Sequence, residues 1–187
     1  MLVQKYLFLN KSKNIYGGII MENNLSKKKC FAFKSIPPRG ILTTALHKFN
    51  LHYKAILSLN ESEAILLYNI LYPKIETADL KTLGQAIFDS IEIDVIVIHT
   101  LIDSFTFDKS GITQTPSLYV QKPKLSTGGG DNFNAGLCFG QLMDLDLEGS
   151  MYVANATAGF YVRNGHSPSM QNLMDTLVNW ENLIEIP

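Results

Sequence analysis

The sequence predicts an α/β fold, a three-layer α/β/α arrangement in which a mostly parallel sheet lies between helices. Two observations support this prediction. Short apolar runs alternate with longer stretches of helical period, and residues 94–101 (DVIVIHTL) form a continuous β-branched run, typical of a strand covered on both faces. Strands that alternate with helices require crossover connections, and these place helices on both faces of a parallel sheet.

The composition limits which kinds of protein and which kinds of binding partner are consistent with the sequence. The chain has 187 residues, of which 46% are hydrophobic, so it can bury one substantial core. Its 16 basic and 17 acidic residues balance, which argues against nucleic acid or an anionic membrane as a partner. No window approaches the ~20 apolar residues of a membrane span. Cys30 and Cys138 lie far apart between apolar residues, so we expect reduced, buried thiols in a cytoplasmic protein.

The first elements are short. Residues 14–23 (NIYGGIIMEN) fit a helix, although two adjacent glycines weaken that prediction. Residues 30–33 (CFAF) predict a strand that is stopped by two prolines, and residues 41–50 (ILTTALHKFN) fit the helix that follows.

Strands and helices then alternate more clearly. Residues 53–60 (YKAILSLN) predict a strand, and residues 61–72 predict the helix that leaves it. Residues 80–91 are helical in period and lead to the buried strand at 94–101. The segment 104–120 is rich in Thr and Phe, with KSG in its middle, and predicts a hairpin. Three helices close the chain, at residues 131–143, about 148–164, and 169–182.

Three consecutive glycines, Gly128, Gly129 and Gly130, stand immediately before Asp131 at the start of a predicted helix. Glycine adopts positive φ and has no Cβ, so these residues can turn their N–H groups into one concave nest. A nest that opens a helix adds the helix's own unpaired amides and its partial positive charge, which together predict an anion site. The alternative is a tight loop in which Asp131 only caps the helix.

Polar residues also follow two of the predicted strands. In a parallel sheet the ligand site lies beyond the carboxyl ends of the strands. We therefore expect Asn60, Thr100 and the glycine turn (Gly128, Gly129 and Gly130) at one edge of the molecule. Asn60 and Glu63 also fit a capping box at the start of a helix, and that structural alternative stays open.

The longer string STGGGDNFNAG resembles the C-terminal signature of the ribokinase-like sugar kinases, the PfkB carbohydrate kinase family, which typically reads D-T-x-G-A-G-D-x-F-x-x-G. The match covers the small-residue turn, the aspartate, Phe133 and Gly136. Asn60 and Glu63, within LSLNESEAILL, resemble the family's N-x-x-E element. The segment ANATAGFYVRNGHSPSM resembles the helix and loop that border the adenine and cation sites, with Asn155, Gly165 and Ser169 at matching places.

The resemblance implies ATP-dependent phosphoryl transfer to a sugar or nucleoside hydroxyl. Asp131 would be the general base, and the amides of the glycine turn would form an anion hole for the transferring phosphoryl group. Asn60 and Glu63 would act on hydrated Mg²⁺. The nucleotide-binding residues implied by the resemblance are Thr100, Asn155 and Gly165.

Departures from the signature are also informative. Leu125 and Ser126 stand where the family usually has Asp-Thr, so the carboxylate that often helps to bind a monovalent cation is absent, which puts activation by such a cation in doubt. Leu101 and Ile102 stand where the family often continues with Leu-Gly, which predicts an altered nucleotide loop. We expect His99 to be a strand-end histidine rather than a catalytic one.

The chain is shorter than typical family members, whose first half supplies an edge of the sheet, the sugar-binding residues and a small β-sheet lid. The N-terminal half and the lid would therefore be missing. Residues 1–30 are predicted to be the remnant of a preceding helical segment, and residues 31–187 the C-terminal ATP-binding part. An exposed sheet edge would favour a homo-oligomer or other association. The alternative function is a truncated, non-catalytic nucleotide-binding remnant that lacks the substrate site.

Overall fold

The computed structural model describes residues 55–73 and 79–185, and in addition the backbone of five short strands within residues 4–33. The helix predicted over residues 41–50 lies outside the described residues. The strands are β1 (Gln4–Tyr6), β2 (Leu9–Lys11), β3 (Asn14–Tyr16), β4 (Gly18–Glu22), β5 (Lys29–Phe33), β6 (Ala55–Asn60), β7 (Val95–His99), β8 (Asp103–Asp108) and β9 (Gly111–Pro116). The helices are α1 (Glu61–Leu71), α2 (Leu80–Ser90), α3 (Gly129–Leu142), α4 (Leu147–Asn164), α5 (Met170–Val178) and α6 (Trp180–Leu183).

Seven strands form one sheet in the order β1-β4-β5-β6-β7-β8-β9, and β2 pairs with β3 separately. The α/β fold class is confirmed, but the sheet is mixed rather than mostly parallel. β5 and β6 are parallel, with Phe31 opposite Ala55, whereas β4 is antiparallel to both β1 and β5. The lengths of the connections explain the directions of the paired strands. A short connection allows only an antiparallel hairpin, whereas a parallel pair needs a long crossover.

The helix predicted over residues 14–23 is wrong, because this segment forms β3 and β4 with one residue between them. The described part of residues 1–30 is strand throughout, so its predicted helical character is wrong as well. Isoleucine favours extended backbone, the adjacent glycines disfavour a helix, and β4 pairs on both sides with β1 and β5. Antiparallel pairing with neighbouring strands has overridden a weak helical preference.

The chain divides into two compact units, residues 1–98 with 105–113, and residues 99–104 with 114–187. In the first unit, α1 and α2 pack together, and β6 and β7 are buried along almost their whole length. The strand predicted at 94–101 is thus confirmed as one covered on both faces. The core of this unit includes Leu57, Leu59, Leu67, Leu83, Ile87, Ile96, Ile98 and Phe107.

The second unit is dominated by the packing of α3 against α4. Two glycines of α3 lie directly against the backbone of α4, and Leu173 of α5 covers Val153 and Ala156 of α4. The single helix predicted over 169–182 is two helices, because the Asn179 side chain donates to the Asp175 carbonyl (2.8 Å) and ends α5. Cys138 is buried and forms no disulfide, as predicted. Among the described residues, no helix has the length and apolar character that a membrane crossing requires.

Candidate active site

The glycine turn opens α3 in the way that the sequence predicts. Gly128 is the N-cap, with φ of +94°, and Gly129 and Gly130 are the first two helical residues. The left-handed φ disfavours any side chain at Gly128. A Cβ there would also lie 2.8 Å from the Tyr161 hydroxyl, so the turn requires glycine for two independent reasons.

Asp131 is the third residue of α3 and is exposed. The amides of the first turn have no carbonyl partner within the helix, and they add to the partial positive charge at its start. One of the three predicted anion-hole amides is already used, because Gly129 N–H donates to the Ser126 carbonyl at 3.1 Å. The turn therefore presents backbone donors beside a carboxylate, which is a suitable arrangement for binding an oxyanion next to a proton acceptor.

Side chains distant in sequence hold this turn in place. Tyr161 Oη donates to the Thr127 carbonyl (2.8 Å). Asn132 Nδ2 donates to the Gly128 carbonyl (3.0 Å), and Ser167 Oγ donates to Asn132 Oδ1 (2.8 Å). These contacts tie the glycine turn to the end of α4 and to the segment that follows it. These supporting residues lie within the strings STGGGDNFNAG and ANATAGFYVRNGHSPSM, but the resemblance assigned them no role.

Gly165, one of the predicted nucleotide-binding residues, closes α4. Its φ is +77°, and its N–H donates to the Tyr161 carbonyl at 2.7 Å. The chain then leads within two residues to Ser167, which contacts Asn132 in the first turn of α3. The structure therefore brings the Gly165 loop beside the glycine turn, and a direct role of Gly165 in nucleotide binding stays a prediction.

Thr100, also predicted to bind the nucleotide, closes the turn between β7 and β8. Its hydroxyl donates to the Asp103 carbonyl (2.9 Å) and accepts from the N–H groups of Ile102 and Asp103 (both 3.1 Å). The side chain of Leu101, between them, is 77% exposed. The hydroxyl thus has a structural task in the turn, and its contact with a nucleotide stays a prediction.

Asn155 is enclosed rather than presented to solvent, with only 3% of its surface exposed. Its Nδ2 donates to Ser104 Oγ (2.7 Å) and to Thr115 Oγ1 (3.3 Å), and its Oδ1 accepts from Ser117 Oγ (3.2 Å). The side chain therefore fixes α4 to the hairpin strands. A role of Asn155 in the adenine site stays a prediction, and any such role acts through this buried network.

His99 ends β7 and lies beside the first turn of α3. Its ring stacks on Phe133, with ring centroids 4.5 Å apart. The Cε1 atom is 3.4 Å from the place where a Cβ of Gly130 would be. Burial lowers the pKa of the His99 imidazole to about 4, so the ring is neutral at physiological pH. The sequence indicated only a histidine at the end of a strand.

Asn60 and Glu63 belong to the first unit, where they form the capping box that the sequence left open. Asn60 Oδ1 accepts from Glu63 N–H (2.9 Å), and Glu63 Oε2 accepts from Asn60 N–H (2.8 Å). Within residues 55–73 and 79–185, no three His, Cys, Asp or Glu side chains form a group able to hold a metal ion. The structural role is confirmed, and a role of this pair toward Mg²⁺ stays a prediction.

Comparison with known proteins adds independent information. A family model described as prokaryotic ketohexokinase matches residues 40–180. A ketohexokinase from Haloferax volcanii is 30% identical over 120 residues, which cover 64% of this chain and 32% of that protein. The chain thus spans about a third of the length of this curated relative. The resemblance to the C-terminal part of PfkB sugar kinases, predicted from STGGGDNFNAG, is confirmed.

Solved structures show the same fold. A phosphofructokinase-2 variant from Escherichia coli has a TM-score of 0.61 and 17% identity, covering 76% of this chain and 45% of that one. A nucleoside kinase from Methanocaldococcus jannaschii, described as an archaeal member of the ribokinase family, has a TM-score of 0.55 and 20% identity, covering 73% and 44%. At this identity the similarity establishes the fold only.

Proposed function

The chain belongs to the prokaryotic ketohexokinase family, and from this premise we propose that it performs ATP-dependent phosphoryl transfer to a sugar hydroxyl, with Asp131 as general base. The observation that carries the proposal is the position of Asp131 in the first turn of α3, three residues after the left-handed Gly128. The family's name suggests a ketohexose as the acceptor. A cytoplasmic location and the assignment of residues 31–187 as the ATP-binding part belong to the same proposal.

Phosphoryl transfer passes through a loose transition state, so the protein contributes chiefly by positioning and by stabilising charge. The amides of the glycine turn hold the phosphoryl oxygens, with that of Gly129 shared with the Ser126 carbonyl. Asp131 then accepts the proton of the attacking sugar hydroxyl. The hydrogen bonds from Tyr161 and Asn132 keep the turn in the conformation that this geometry requires.

The described residues provide more direct ligands for a phosphate group than for Mg²⁺. A phosphate group fits the start of α3, where backbone amides without carbonyl partners inside the helix supply donors. Mg²⁺, when bound with the nucleotide, neutralises charge on the phosphate oxygens. Asn60 and Glu63 already serve as a cap, so in this proposal they act on the ion through water. In the same proposal Thr100 and Gly165 border the nucleotide, and Asn155 acts on it through its buried hydrogen-bond network.

The test is transfer from ATP to a panel of ketohexoses and other sugars by the purified chain. Asp131→Asn is expected to lower kcat by roughly 10²–10⁴-fold, the usual contribution of a general base, while ATP binding persists. Asp144→Asn is the matched control, because Asp144 is an exposed aspartate just beyond the other end of α3 with φ of 61°, which asparagine also adopts. Transfer that survives Asp131→Asn would contradict the assignment of the base.

A second candidate function is a nucleotide-binding module without transfer activity. The observation that favours it is that the chain covers 32% of its curated relative. The same assay separates the two candidates, because ATP binding without transfer to any sugar supports the module, and transfer supports the kinase.

A further inference from the structure

The imidazole of His99 lies against the first turn of the helix that carries Asp131. The ring stacks on Phe133 with an interplanar angle of 29° and faces Gly130. Its Nε2 atom is 3.7 Å from the position that a Cβ of Gly130 would occupy. Because Gly130 has no side chain, nothing of that residue separates the imidazole from the backbone that starts α3.

Neither ring nitrogen of His99 has a hydrogen-bond partner in the part of the chain that the structure describes. Burial is also the sole cause of the lowered pKa of this histidine, with no contribution from a hydrogen bond or a nearby charge. A neutral imidazole carries one N–H donor and one acceptor nitrogen. Because no described protein group pairs with these nitrogens, both remain available to a ligand.

A second polar group on the same helix is also without a partner. Asn134 is 7% exposed, and its Oδ1 atom has no hydrogen bond. Asn134 comes four residues after Gly130 and three after Asp131, so it lies on the same face of α3, one turn further along. Nearly all buried polar atoms in folded proteins are paired. The helix that carries Asp131 therefore has an unpaired buried oxygen one turn beyond the glycine turn, in addition to the imidazole that lies against Gly130.

We propose that His99 is a hydrogen-bond donor to the phosphoryl oxygens bound at the start of α3, a further ligand-contacting residue of this site. The inference rests on the proposed function, which places a phosphoryl group at the glycine turn. A neutral N–H donor fits such a site, because it stabilises charge that develops on the transferring group without adding a fixed cation beside Asp131.

Two substitutions separate hydrogen bonding from packing. His99→Phe keeps an aromatic ring against Phe133 but removes the N–H, whereas His99→Gln keeps a donor and removes the ring. We expect His99→Phe to lower kcat/KM for transfer by roughly 10²-fold, the effect of losing one oxyanion donor, and His99→Gln to recover at least part of that loss. Melting temperatures of both variants show whether either substitution disturbs the fold.

Binding measurements keep the inference testable if transfer itself is absent. ATP and inorganic phosphate are titrated by calorimetry into the wild type and both variants, and the His99 ring nitrogens are followed by ¹⁵N NMR in the wild type. His99→Phe is expected to weaken binding of both probes about tenfold, with His99→Gln close to wild type, and phosphate is expected to shift the His99 resonances. Equal losses in the two variants, or ring resonances unmoved by phosphate and ATP, would overturn the role of His99 whether or not the chain is a kinase.

Discussion

At the scale of single residues, Gly136 decides how closely α3 approaches α4. A Cβ at this position would lie 2.6 Å from Thr157 Oγ1 and 2.8 Å from the Cα of Ala154. Alanine usually stabilises a helix by about 1 kcal/mol relative to glycine, but overpacking a rigid interface costs about 1–3 kcal/mol or more. Because the obstacle is partly backbone, which cannot rotate away, the packing cost is expected to prevail.

Gly136→Ala is therefore expected to lower the free energy of unfolding by about 2 kcal/mol, measured by urea denaturation. Ala135→Gly is the control on the same helix, since Ala135 is exposed and its replacement changes helix propensity without a clash, at a cost of about 1 kcal/mol. A Gly136→Ala variant as stable as the wild type would show that α3 and α4 can separate.

His99 is expected to contribute to the pH dependence of stability. The pKa of its imidazole is about 4 in the folded chain against 6.5 for an unperturbed histidine, so the unfolded chain binds this proton first as the pH falls. The contribution of the neutral imidazole to the free energy of unfolding is complete above about pH 6.5. It decreases as the pH falls from about 6.5 to 4, by about 3 kcal/mol in total. Urea denaturation at pH 7 and pH 5 measures the loss, and His99→Phe is expected to reduce the difference between the two. An equal difference in the variant would place the titration elsewhere.

Local motifs made some site residues predictable from sequence. The local sequence of three glycines followed by Asp131 and Phe133 predicts a turn and the start of a helix. The structure contains both. Tyr161 and Ser167 support the turn from 34 and 35 residues away in sequence, so no local pattern could identify them. Thr100 was predicted from the family resemblance, but its hydrogen bonds in the β7–β8 turn depend on a backbone path that the sequence does not reveal.

At the scale of elements, the capping box of α1 allows its structural and metal-binding roles to be separated. Asn60→Ala removes the side-chain oxygen that accepts from Glu63 N–H and is expected to lower the free energy of unfolding by about 1 kcal/mol. Glu63→Gln keeps a side-chain oxygen for the Asn60 N–H and is expected to be nearly neutral for stability. Thermal denaturation of the two variants measures the difference.

The same pair tests the predicted action on Mg²⁺. Glu63→Gln removes the negative charge while it retains the cap, so a role toward the hydrated ion predicts a higher Mg²⁺ requirement for ATP binding or transfer at unchanged melting temperature. An unchanged Mg²⁺ titration in this variant would leave Glu63 with the capping role alone.

Element type was most predictable where burial and period agree. The run at residues 94–101 was correctly predicted because five of its residues form β7, which is buried on both faces and contains a β-branched residue at four positions. Residues 14–23 contain two glycines and no clear period, so pairing with β1 and β5 determined their structure. The break between α5 and α6 depends on one side chain, Asn179, that the helical period does not reveal.

At the scale of the whole molecule, β9 is the last strand in the order of the sheet, and it presents Ile112 at 43% exposure. An edge strand with unpaired backbone groups and an exposed apolar side chain is a template for pairing with a second copy. A different apolar surface occurs in the second unit, where Met170, Met174 and Val178 follow one another at helical spacing on α5 and are all more than half exposed.

These two surfaces make opposite predictions for association of the chain. If copies pair through the β9 edge, Ile112→Lys will raise the monomer fraction measured by size exclusion with light scattering, because a charged side chain on an edge strand opposes pairing. Met174→Lys is the matched control, an equally drastic substitution on the α5 face, and is expected to leave association unchanged. If Met174→Lys raises the monomer fraction and Ile112→Lys does not, the interface lies on α5, because an exposed apolar helix face also associates by burial. A wild-type chain that stays monomeric at every concentration tested would show that neither surface is sufficient.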